Sequence, residues 1–236
     1  MKVIKFLLAV ALLPMIWAFS ISLWELILIV WQGDLDWLTA AVFLSGFIIS
    51  IVFFFTLPRP TRWYVFGHEA THAVAIWLSG GKVSRFHVGD DGGHVVTDRV
   101  STWIALSPYM VPFYPLLVGL GWWVTLLFWQ PTAVIQAVFL FLWAMVWSFH
   151  YCFTLSLIQT TQPDFAGQGY FFSWVVILLS QLFLLLAALW LAFDPMPLWT
   201  LLRLTWEHLI AAYLNASFLL AKGWDAIAQS FRPARP

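Results

Sequence analysis

Residues 64–81 read YVFGHEATHAVAIWLSGG. The stretch is apolar enough for lipid or a packed core, yet His68, Glu69 and His72 fall within five residues of it. Residues four apart lie on one helical face, so a helix here stacks His68 above His72, with Glu69 one position on. Ionisable side chains are costly inside a membrane, and where they persist they usually serve function.

The surroundings set that segment in a membrane. Of 236 residues, 62% are hydrophobic and 9% are charged. A soluble domain carries about 25% charged residues, so these charges cannot cover a water-exposed surface. The 17 Trp and 22 Phe suit the interfaces of a bilayer, where aromatic rings are favoured. The formal net charge is zero, which argues against nucleic acid as a partner. The single cysteine, Cys152, allows no disulfide within the chain. The expected class is an all-α polytopic membrane protein.

A membrane-spanning helix needs roughly 20 mostly apolar residues. Six stretches qualify by eye: 5–31, 37–57, 62–79, 103–128, 132–159 and 170–193. The lysine-led start, MKVIKFLLAVALLPMIWAFS, continues apolar to Trp31, which is long for a signal peptide. It is expected to be an uncleaved first span. QGDLDW, PRPTR and the Gln130–Pro131 pair mark turns between spans. Residues 82–99, KVSRFHVGDDGGHVVTDR, predict a β-hairpin, because Asp-Gly and Gly-Gly favour tight hairpin turns. From Pro195 onward, apolar residues recur at helical spacing among Arg203, Glu207, Asn215 and Lys222, which predicts an interfacial helix. The expected organisation is a single membrane domain over 1–236: two N-terminal spans in 1–57, a core in 58–193, and an interfacial helix and tail in 194–236. With the N-terminus inside, six spans place Lys2, Lys5, Arg59, Arg62, Arg203, Lys222, Arg232 and Arg235 inside and Lys82, Arg85 and Arg99 outside. The positive-inside rule favours that orientation.

His68-Glu69-x-x-His72 is the H-E-x-x-H arrangement, in which two imidazoles ligate zinc and the carboxylate serves as general base. Zinc brings its bound water to a pKa of roughly 7, and Glu69 takes the proton as water attacks a carbonyl. By this chain's own usage of His and Glu, chance supplies about 0.002 such matches. A catalytic zinc takes three protein ligands and keeps one position open. Candidates for the third are Asp164, His150, His87, His94 and Glu25. Asp164 stands in IQTTQPDFAGQGYFF, between the fifth and sixth spans, where Pro163 and Gly167 break regular helix. His150 lies in the fifth span with Thr154 on its face; the pair is expected to hydrogen-bond a metal ligand, to carry a proton, or to be satisfied within the core. His87 and His94 flank the hairpin turn and are expected to be exposed; Glu25 is expected to pair between helices. Pro108, Pro112 and Pro115 predict a kinked or broken fourth span, with Ser107 and Tyr109 as candidate contacts to a substrate.

The membrane-embedded GHEATHA of residues 67–73, followed by LSGGKVSRFHVGDDGGHVV, resembles the site-2 protease family of intramembrane zinc metalloproteases, most nearly its small bacterial members without a PDZ domain. The resemblance covers roughly residues 60 to 170. It implies zinc as cofactor, a β-hairpin after the motif helix, and a downstream aspartate as third ligand, which is Asp164 here. The family's Asn-x-x-Pro-x-x-x-Asp-Gly pattern is absent, and the glycine is displaced to Gly167. It further implies a multi-pass protein of a bacterial cell membrane that hydrolyses a peptide bond in or near a transmembrane segment of a membrane-protein substrate. A metal or ion transporter and a non-catalytic protein of the same fold are the competing readings. No internal repeat of the kind many transporters show is evident.

Overall fold

The computed structural model describes residues 2–33, 36–58, 61–89, 92–158 and 163–230. Its elements are α1 (Lys2–Gln32), α2 (Trp37–Thr56), α3 (Thr61–Leu78), β1 (Val83–Gly89), β2 (Gly92–Thr97), α4 (Thr102–Met110), α5 (Phe113–Phe128), α6 (Ala133–Ile158), α7 (Pro163–Ala166), α8 (Tyr170–Phe193) and α9 (Leu198–Ser230). The chain is mostly helical with one small antiparallel sheet. Local chemistry sets several ends. Asp36 accepts from the Leu38 amide at 3.1 Å and so caps α2. Ser101 caps α4 in the same way through the Ile104 amide.

Three helix pairs organise the bundle: α2 lies along α6, and α1 lies along both α8 and α9. The α2–α6 approach is close enough that a Cβ on Gly46 would sit 2.3 Å from the Phe141 carbonyl oxygen. Small residues at membrane-helix contacts permit such spacing. The tail forms the expected helix, largely exposed, and it is tied to α1 by polar groups. His208 hydrogen-bonds Ser22 at 2.9 Å and faces Glu25 at 3.3 Å, and the Tyr213 hydroxyl donates to the Ala11 carbonyl. Glu25 is therefore an interhelical partner, as expected.

The span count differs from expectation. Among the described residues, α1, α2, α6 and α8 are long and apolar enough to cross a membrane, and α4 with α5 makes a fifth if that bent pair counts as one. The bend is 67° and falls at Val111–Pro112, where proline's missing N–H interrupts the helix. The segment 62–79 is helical as α3 but is not among the spans: His68, Glu69, His72 and Arg62 dilute its apolar character. Lys5 and Gln168, placed at opposite ends by a six-span alternation, are joined by a hydrogen bond from the Lys5 ammonium to Gln168 Oε1. Arg99 lines the same cleft as Gln168, so Arg99, counted outside with Lys82 and Arg85, stands at the same end of the bundle as Lys5. Arg59, Arg232 and Arg235 of the charge count lie outside the described residues, as do Asp90 and Asp91 of the hairpin turn and parts of QGDLDW, PRPTR and IQTTQPDFAGQG.

Candidate metal centre

α3 carries Tyr64, His68 and His72 at successive i+4 positions, so all three share one face. The two imidazoles stand 4.9 Å apart between ring centres. Opposite them, the single turn α7 presents Asp164. Its seat follows from its neighbours. Pro163 opens the turn, where a missing N–H costs nothing, and Phe165 is fully buried against Leu106, Tyr109 and Ile177. The aromatic side chain anchors the turn, and the carboxylate beside it faces α3.

Asp164 Oδ2 lies 3.4 Å from His68 Nε2 and 3.7 Å from His72 Nε2. Among the described residues, these three side chains alone could hold a metal ion together. Tetrahedral zinc with ligand bonds near 2.0–2.1 Å separates its ligand atoms by about 3.4 Å, so the spacing fits. The outer contacts fit as well. A carbonyl can only accept, so the 2.8 Å contact between His72 Nδ1 and the Ile104 carbonyl places the proton on Nδ1. It leaves the Nε2 lone pair facing Asp164. Tyr64 Oη, 3.0 Å from His68 Nδ1, can hold the other ring in the same sense. Tyr109 donates to Asp164 Oδ2 at 2.9 Å. Partners of this kind fix the orientation of metal ligands. Burial raises the Asp164 carboxyl; when the imidazoles carry protons on Nε2 instead, their hydrogen bonds and charge outweigh it and hold the group below the ordinary carboxylate range.

Glu69 is 6% exposed and lines a cleft of about 410 Å³ with His68, His72 and Asp164. Strand β2 forms the opposite wall through Gly93 and His94. Gly93 has no room to spare: a Cβ there would sit 2.6 Å from Glu69 Cγ and 2.7 Å from Val65 Cγ1. Gly93→Ala should therefore push β2 off α3 or turn Glu69 away, at a cost of about 1–3 kcal/mol. Thermal unfolding in detergent checks it, and an unchanged midpoint would show that the hairpin rides freely on the helix.

The other sequence candidates separate from this group. His150 is buried on α6, with its Nε2 3.3 Å from Gln181 Nε2, and it borders a small void that His68 also lines, not the cleft. It is not grouped with His68, His72 and Asp164. Thr154 is buried with its hydroxyl unpartnered among the described residues and does not line the cleft. His87 and His94 face each other across the hairpin and are exposed, as expected. Ser107 donates to the Ile104 carbonyl within its own helix, and Tyr109 is fully buried; Tyr109 steadies the Asp164 carboxylate, and Ser107 is spent within α4. Tyr64, the Ile104 carbonyl, Gly93, Lys5 and Gln168 were not singled out from the sequence. Only Tyr64 carried a signal, its position four residues before His68.

No protein-family model, curated protein or solved structure matches the chain.

Proposed function

We propose that this chain is an intramembrane zinc metalloendopeptidase of the site-2 protease type. The observation that carries the reading is the convergence of His68 and His72 from α3 with Asp164 from α7, at a cleft that Glu69 also lines. Two imidazoles and one carboxylate form a donor set typical of hydrolytic zinc with one position left open. Zinc, when bound, supplies a Lewis acid and a water acidified to a pKa of roughly 7.

The chain's own groups do the rest. Glu69 removes a proton from the attacking water and returns it to the departing amine nitrogen. One C–O bond forms at the scissile carbonyl and the C–N bond breaks. Ile104 and Tyr64 hold the imidazoles, and Tyr109 holds the carboxylate. Strand β2 beside Glu69 offers backbone groups to an unwound substrate, since an extended peptide can add to a sheet edge. The bend between α4 and α5 supplies irregular backbone of the kind that lines cavities at membrane depth. The substrate is a transmembrane segment of another membrane protein. Lys5 and Arg99 share the end of the bundle that holds the cleft, and the positive-inside rule favours a cytoplasmic side for that end.

Metal analysis tests the ligand set. Elemental mass spectrometry of detergent-purified protein should find about one zinc per wild-type chain and close to none in His72→Ala or Asp164→Ala, because a structurally complete site needs all three ligands. Full zinc in the Asp164 variant would remove Asp164 from the set. A folded wild type without zinc would overturn the proteolytic reading.

A further inference from the structure

Gln168 follows α7 by two positions and is 7% exposed. It lines the same cleft as His68, Glu69, His72 and Asp164. Its Oε1 accepts two hydrogen bonds, one from Thr102 Oγ1 at 2.7 Å and one from the Lys5 ammonium. An ammonium can only donate, so the oxygen end of the amide is fixed on that side. The NH₂ end is left over, and no described residue accepts from it. A buried amide with its acceptor doubly engaged and its two N–H groups unspent, at the rim of a candidate hydrolytic centre, is placed to receive an oxygen from outside the protein. A hydrogen bond to a charged donor also polarises the amide and strengthens it as a donor.

We propose that Gln168 donates to the carbonyl oxygen of the peptide bond being cut, and that Lys5, together with Thr102, positions it. The inference rests on the proteolytic reading above and extends it. As water adds to the carbonyl carbon, negative charge collects on that oxygen. An N–H already aimed there stabilises the charge without reorganisation. When the C–N bond breaks, the oxygen becomes part of the new carboxylate and leaves with the product. The arrangement gives α1 a part in the chemistry, although its sequence carries no catalytic motif. Lys5 also stands 5.7 Å from the centre of the Phe172 ring, and Phe6 packs on Phe171. The first turns of α1 are thus held against the start of α8, next to the amide they orient.

The test compares wild type with Gln168→Glu, which keeps both acceptor contacts and loses the NH₂. The probe is a randomised peptide pool in detergent micelles, read as the rate at which new amino termini appear, with zinc content measured on the same samples. The expected result is a rate lower by about 100- to 1,000-fold, the usual effect of removing one such donor, with zinc unchanged. If Gln168→Glu fails to fold, Gln168→Met is used instead; it removes the NH₂ together with the acceptor of Lys5 and Thr102, so a rate within threefold of wild type still overturns the inference. Lys5→Met should lower the rate by about 10-fold and Lys5→Arg should restore it, since either cation can hold the oxygen; a purely structural Lys5 would show no such rescue. A Gln168→Glu rate within threefold of wild type overturns this inference and leaves the protease reading standing. A folded wild type that releases no new amino termini overturns both.

Discussion

Glu69→Gln should lower peptide hydrolysis by about 10²–10⁴-fold, the usual contribution of a general base, and leave the metal bound. The reason lies in the separation of duties along α3. His68 and His72 direct their Nε2 atoms at Asp164, and the metal-competent group does not include Glu69. Glutamine keeps the size and hydrogen-bonding reach of the side chain, so its fit beneath Gly93 is preserved while its capacity to accept a proton is gone. Zinc content and cleavage rate measured on one preparation decide the matter. A variant that cleaves at the wild-type rate would remove Glu69 from the mechanism; one that loses zinc would make it a ligand.

Gly46→Ala should lower thermal stability, because the added Cβ has no room between α2 and α6. A Cβ at that position meets the Phe141 carbonyl oxygen at 2.3 Å and its Cα at 3.2 Å. These are backbone atoms of α6, so no side chain can rotate away, and the two helices must separate. Overpacking of this kind costs about 1–3 kcal/mol, and for a chain of this size that lowers the unfolding midpoint by roughly 2–12 °C. The same separation shifts α6, which carries Phe149 and Phe153 against Tyr64, and so reaches the partner of His68. Circular dichroism melts in detergent are the check; a midpoint within error of wild type would mean that the helices are not held at this spacing.

Much of the helical frame was legible because hydrophobic runs announce themselves. The expected stretches 37–57, 132–159 and 170–193 match α2, α6 and α8 to within a residue or two, and Val83–Thr97 forms the hairpin that its glycines predict. What failed was counting. The segment 62–79 has a span's length, but its role follows from the same polar residues that made it conspicuous. They draw α3 to the end of the bundle where Asp164 and Gln168 lie, so the alternation of sides built on six crossings did not hold. His68, His72 and Glu69 could be read because their contacts lie within one helix. Asp164 could be shortlisted from the helix break that Pro163 and Gly167 make around it, but nothing local shows that Phe165 will bury and turn the carboxylate towards α3. The bond between Lys5 and Gln168 spans almost the whole chain, and no periodicity carries information over that distance.

The centre draws His68 and His72 from the first half of the chain and Asp164 from the second. A ribosome delivers the two imidazoles, and the Glu69 carboxylate with them, well before the aspartate that completes the set. Until α6 and α7 have been made, the nascent protein holds a base and half a binding site but no finished centre. On the proposed reading, hydrolytic competence would then arrive late in synthesis, and a chain cut short ahead of Asp164 would lack it.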